Sequence, residues 1–140
     1  MRTLLCTLAL LAATAATPAP AQAQPAEGFG RHLADLINGY RERQGLAPLA
    51  IAQDLAALAG EHTAGMVARR QLTHDGFHER HLRAGSRVCV ENVGWNFQTA
   101  EALLEGWRHS DGHHRNLLET QVSRMGIAVQ ARYVTFFACL

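Results

Sequence analysis

The chain has no lysine; its 13 basic residues are all arginine. That excludes Schiff-base lysine chemistry, and no Gly-rich phosphate loop ending in a lysine is present either. No basic block stands out. Once Arg2 is set aside with the leader described below, 12 arginines face 12 acidic residues. Nucleic acid and anionic lipid are therefore poor default partners. Cysteine is scarce: Cys6, Cys89 and Cys139, with no Cys-x-x-Cys pair, which argues against a thiolate zinc site. No apolar run reaches the length of a membrane span. No internal repeat occurs, and no Gly-x-Ser-x-Gly frames a nucleophile.

Met1-Arg2 is a short positive segment, Thr3 to Ala16 is apolar, and Ala21-Gln22-Ala23 has the small-x-small form of a cleavage site. Residues 1–23 read as a secretory signal peptide. Cys6 lies in the wrong context for a lipoprotein cysteine. Residues 24–140 then form a single domain with one core. It is expected to be secreted or periplasmic, without a stable membrane anchor after leader removal, and monomeric. In such a compartment Cys89 and Cys139 are expected to be bridged. Their separation of 50 residues corresponds to about 4 kcal/mol of loop-closure entropy removed from the unfolded chain. Two buried thiols are the alternative.

Phe29, Leu33, Leu36, Ile37 and Tyr40 recur at helical spacing, which predicts a helix over about 29–43, stopped by Gly45 and Pro48. Leu55, Leu58, Ala59, His62, Met66 and Val67 predict a second over about 52–70. Residues 73–87 have no period and read as a loop with room for one short helical turn. Val88–Val93 reads as a strand with Cys89 and Glu91 on one face. Thr99 caps a third helix whose apolar face is Ala100, Leu103, Leu104 and Trp107. A short fourth helix follows over about 113–118. Strands over 124–129 and 133–139 complete an antiparallel pair. The order predicts an α+β sandwich, with helices packed on an antiparallel sheet.

Three polar clusters carry the chemistry: Leu72-Thr-His74, Cys89-Val-Glu91-Asn92-Val-Gly94-Trp95, and Trp107-Arg-His-Ser110-Asp-Gly-His113-His114-Arg-Asn116. Turn and cap chemistry explains Asp75, Gly76, Ser110, Asp111 and Gly112. It explains neither His74 nor His113, and a carboxylate at Glu91 is unusual in a valine-rich strand. His62 reads as a half-buried histidine with one hydrogen bond, and His78, His81 and His109 as solvated. His113 and His114 are adjacent on a helix, so only one of them serves a common site. Three arrangements remain open. His74 and His113 bind zinc or another divalent metal, with Glu91 as ligand or as orienter of a bound water. Ser110, His113 and Glu91 form a hydrolytic triad. Or the cleft binds a ligand and does no chemistry.

In order, Ile37-Asn-Gly-Tyr40-Arg, Gly45-Leu-Ala-Pro48-Leu49, Leu55–His62, Leu72-Thr-His74, Glu91-Asn92-Val-Gly94-Trp95, Trp107–Leu118 and Met125-Gly126-Ile-Ala-Val resemble the CAP superfamily (cysteine-rich secretory, antigen 5 and pathogenesis-related proteins), bacterial type. The resemblance covers nearly all of the mature chain. It implies a three-layer α-β-α sandwich with a small antiparallel sheet and a central cleft often lined by two histidines and two acidic residues. His74, Glu91 and His113 match three of those positions. Ser110 stands at the second acidic one, and a Gly-His-Tyr-Thr-Gln-type motif is absent. Cys89 and Cys139 do not match the family's usual disulfides, so that bridge rests on compartment alone. The family is linked to lipid or sterol, polysaccharide and zinc binding and to proteolysis. The resemblance thus implies an exported domain whose cleft (His74, Glu91, Ser110, His113) takes a small ligand of lipid or glycan class, with a divalent metal as candidate cofactor on His74 and His113. The alternatives are a metal-assisted hydrolase of envelope material with Glu91 as general base, and a structural or partner-binding protein with an idle cleft.

Overall fold

The computed structural model describes residues 25–140; the leader expected over 1–23, and Cys6 within it, lie outside them. Five helices and four strands follow in the order α1 (Pro25–Arg43), β1 (Ala50–Ile51), α2 (Gln53–Arg69), α3 (Phe77–Ala84), β2 (Cys89–Trp95), α4 (Ala100–Arg108), α5 (Asp111–Leu117), β3 (Arg124–Gln130) and β4 (Tyr133–Cys139). The sheet order is β1-β3-β4-β2. The β2–β4 and β3–β4 ladders are antiparallel over seven residue pairs each, and β1 adds two parallel pairs to β3.

Strand alternation sorts the side chains into two helix layers. Leu33, Ile37, Leu103, Trp107, Met125 and Phe136 form the core between the sheet and α1 with α4. Leu55, Leu58, Phe137 and Cys139 form the core under α2. On β2, Cys89 packs on the α2 side and Val90 on the α1 side, as the alternation predicts. The result is the α-β-α sandwich implied by the sequence, with a short parallel strand added. α2 lies so close to β3 that a Cβ on Gly126 would sit 2.1 Å from the Ala56 nitrogen and 2.2 Å from the Leu55 carbonyl carbon. Only glycine fits there.

Two elements differ from expectation. Residues 77–84 form a helix rather than a loop. Its buried residue is Arg80, so no apolar stripe announces it. α5 begins at Asp111, two residues before the expected start. Ser110 has the extended backbone of an N-cap, yet its side chain makes no capping bond. By contrast the Thr99 hydroxyl does cap α4, accepting from the Ala102 N–H at 3.2 Å. The Cys89–Cys139 disulfide is present and links directly paired residues of β2 and β4.

Candidate functional site

The outer edge of β2 is where both helix layers meet, and side chains close it. The Trp107 Nε1–H donates to the Val93 carbonyl at 3.0 Å. Asn116 Nδ2 donates to the Glu91 carbonyl and to Asn92 Oδ1, both at 2.9 Å. The fully buried Asn92 returns a bond from Nδ2 to the His113 carbonyl at 3.0 Å. Buried backbone groups need such partners, and here they tie α4 and α5 to the strand. The far end of α5 is held by the buried Arg41, which donates to the Leu117 and Glu119 carbonyls at 2.9 Å each. A cation at a helix C-terminus is favourable. His113 is thereby fixed at both ends of its helix.

Glu91 is the centre of the cluster. Only 1% of its side chain reaches solvent. Arg80 grips it with two bonds, Nε to Oε2 at 2.8 Å and Nη2 to Oε1 at 2.9 Å. The same guanidinium donates to the Asp75 carbonyl at 2.8 Å. His74 Nδ1 lies 2.9 Å from Oε1. A carboxylate clamped by an arginine only accepts, so Nδ1 carries the proton and Nε2 of a neutral His74 is left with the free lone pair. Half of the His74 side chain is exposed. His62 is buried below, its Nε2 donating to the Thr73 carbonyl at 2.8 Å and standing 3.7 Å from Glu91 Oε1. Burial lowers the His62 pKa, while the Glu91 carboxylate pulls it the other way.

His113 faces His74 with ring centroids 6.4 Å apart and rests against Trp107 at 6.2 Å. Burial lowers its pKa and the neighbouring His74 adds to the effect, so the imidazole is neutral at neutral pH. The next residue turns away: His114 Nε2 lies 2.7 Å from the Tyr40 hydroxyl. The cleft beside these groups has a volume of ≈ 360 Å³ and is lined by His74, Phe77, Cys89, Val90, Glu91 and Asn116.

The structure therefore brings His74 together with both Glu91 and His113. Ser110 lies at the start of α5, half-buried, and no bond joins its hydroxyl to His113 or Glu91 among the described residues. The geometry shows no triad. For a divalent metal, His74 Nε2 and His113 supply two imidazole donors. Glu91 is committed to Arg80, whose positive charge also opposes a cation. Zinc sites use three or four protein ligands, and among the described residues no three His, Cys, Asp or Glu side chains are grouped to hold an ion. The donor set fits two corners of a coordination shell and does not fit a resident zinc. Sequence reasoning missed Arg80 and underrated His62. A usable hint was present: a strand carboxylate that must be buried needs a cation, and the Arg-rich segment 80–87 is the nearest supply.

Residues 34–139 match the cysteine-rich secretory protein family, CAP. YlbC of Bacillus subtilis, described as an uncharacterized membrane protein, is 30% identical over 114 residues, covering 75% of this chain and 32% of its own length. An extracellular protein of Bacillus anthracis containing an SCP domain is 27% identical with a TM-score of 0.78, over 89% of this chain and 45% of that one. A cysteine-rich secretory protein of Staphylococcus aureus gives a TM-score of 0.77 at 24% identity, over 84% and 40%. The chain thus spans about a third to just under a half of the length of these relatives. Among the described residues no helix is long and apolar enough to cross a membrane. With the family match spanning most of the chain and the sandwich shared with these solved proteins, the chain belongs to the cysteine-rich secretory protein (CAP) family.

Proposed function

We propose that this chain is an exported CAP domain, secreted or periplasmic and monomeric, that binds a small ligand of the lipid or glycan class in the cleft and performs no reaction on it. The observation that carries this reading is the engagement of Glu91. A general base needs a free lone pair within reach of water. Three hydrogen bonds occupy this carboxylate and almost none of it touches solvent. Its role is to hold the His74 tautomer, leaving Nε2 as an acceptor for a ligand hydroxyl or amide. Neutral His113 extends that polar face beside His74, and Phe77 with Val90 supplies an apolar wall. The even balance of arginine and acidic residues gives no reason to prefer nucleic acid as partner. A divalent ion enters this reading only as a weakly held companion of the ligand, with His74 and His113 as its protein donors.

Zinc chloride titrated into the purified chain, followed through the imidazole NMR signals, tests the donor pair. Weak uptake that moves the His74 and His113 signals is expected, fading on acidification because protons compete with the metal for imidazole nitrogens. The His74→Ala/His113→Ala variant should lose it. Lipid extracts and envelope glycans presented to both proteins, read by native mass spectrometry, test the ligand. Turnover of a peptide or glycan that disappears in Glu91→Gln, with the native fold retained by circular dichroism, would replace this reading by the metal-assisted hydrolase.

A further inference from the structure

Among the described residues, the opposite edge of the sheet is left open beyond Ile51. β1 leaves β3 after Ile51, and the Ala52 N–H makes the final bond, to the Met125 carbonyl at 2.8 Å. Backbone groups alternate sides along a strand. Gly126, Ala128 and Gln130 turn theirs toward β4, in register with Phe137, Thr135 and Tyr133. Ile127 and Val129 therefore turn theirs outward, and among the described residues these groups bond no backbone across that edge. Natural sheet edges are commonly blunted by lysine, proline or a bulge; residues 126–129 carry none of these.

This edge is the floor of a slot of ≈ 670 Å³ between α1 and α2. Ile51, 59% exposed, closes one end as an apolar stop. The α2 wall offers the small Ala56 and the polar Gln53. The α1 wall carries Glu27, Arg31 and Asp35, all exposed and lining the slot. Their i, i+4, i+8 spacing stacks them on one side of the helix and would allow mutual ion pairs. None of the three is in an ion pair among the described residues. Four helical residues advance about 6 Å and two strand residues about 6.8 Å. Alternate side chains of a strand laid on this edge would meet the three charges nearly in step.

We propose that the slot binds an extended peptide by strand addition to β3. The backbone groups of Ile127 and Val129 pair with the peptide. Its side chains on the α1 side follow the order basic, acidic, basic against Glu27, Arg31 and Asp35. Its intervening side chains are small and apolar, because they face Ala56. Main-chain bonds supply affinity in this mode and alternate side chains supply selectivity.

The probe is a fluorescein-labelled, end-capped peptide containing Lys-Val-Glu-Val-Lys, titrated with the purified full chain and read by polarisation. The motif is the same in both directions, so the test does not depend on strand polarity. Saturable binding is expected, with the charge-reversed Glu-Val-Lys-Val-Glu peptide weaker by about tenfold or more, since like charges face each other there. Arg31→Glu should weaken Lys-Val-Glu-Val-Lys by a similar factor. Val129→Pro removes an outward N–H, which an edge tolerates, and should abolish binding. If that variant fails to fold, a peptide N-methylated on alternate amides asks the same question of the native chain and should not bind. Equal binding of the two charge patterns, unimpaired binding of the N-methylated peptide, or no binding at all overturns the proposal. So does a concentration-dependent dimer that Val129→Pro dissolves, because the edge would then be covered by a second copy.

Discussion

Arg80 gives the sharpest test of how the cleft is built. Replacing it by methionine keeps the volume and removes every hydrogen bond the guanidinium makes. Glu91 would keep the His74 contact but lose its counter-charge while staying out of solvent. Breaking a buried pair from one side costs about 3–5 kcal/mol, a large share of the ~5–15 kcal/mol that holds a domain together. With a urea slope of about 1.5 kcal/mol/M, the unfolding midpoint should fall by about 2–3 M. The matched control is Arg83→Met. Arg83 makes the same two-pronged contact, with Glu61 at 2.6 and 2.9 Å, but both partners are about half exposed. Its loss should leave the midpoint close to wild type, because solvent screens such pairs. Arg80→Met combined with Glu91→Leu should recover most of the loss, since the stranded charge is gone. The reasoning fails if Arg80→Met and Arg83→Met shift the midpoint equally, or if the double variant is no better than the single.

Gly126→Ala should lower stability by about 3 kcal/mol or prevent folding, because the added methyl meets backbone of α2 that no rotamer can move; a thermal melt followed by circular dichroism reads the change. Stability should also decline on acidification. His62 and His113 both have pKa values lowered by burial, so the unfolded chain binds protons first. The loss begins as pH falls below about 6.5 and ends below the folded values, with no contribution above it. Urea midpoints measured from pH 8 to pH 5 should show this slope, and His62→Gln/His113→Gln should flatten it.

His74, Glu91 and His113 were legible because each was left over once turns, caps and strand patterning had been accounted for. Their convergence needed the family resemblance, since residues 17 and 22 apart reveal no geometry. The strands β2, β3 and β4 were legible from their apolar and β-branched composition, and the apolar faces of α1, α2 and α4 from helical period. Three features were not. α3 buries an arginine and exposes Leu82, so its pattern inverts the usual one. β1 is too short to show alternation, and its parallel partner lies 74 residues away. Ser110 looked like a cap because serine commonly is one, yet the α5 N-terminus is not capped by its hydroxyl. For α3 and β1 a contact distant in sequence overrode a local rule.

The two outer positions of the sheet show how the same backbone chemistry serves different ends. On β2 the outward carbonyls of Glu91 and Val93 are taken by Asn116 and Trp107. Closing that edge fixes α5, places His113 beside His74, and buries the Arg80–Glu91 pair beneath them. A ligand there meets side chains whose positions are already set, so ordering costs on binding are small. On β3 the outward groups of Ile127 and Val129 have been given no such side chain, although α1 runs alongside with residues long enough to reach. Glu27, Arg31 and Asp35 line the slot and, among the described residues, form no ion pair with one another. A sequence that uses Asn and Trp to seal one edge and, among the described residues, pairs none of three charged side chains over the other fits two recognition surfaces of different kinds. On the proposed reading, the sealed edge presents its imidazoles to a small ligand, and the open edge presents backbone to a strand.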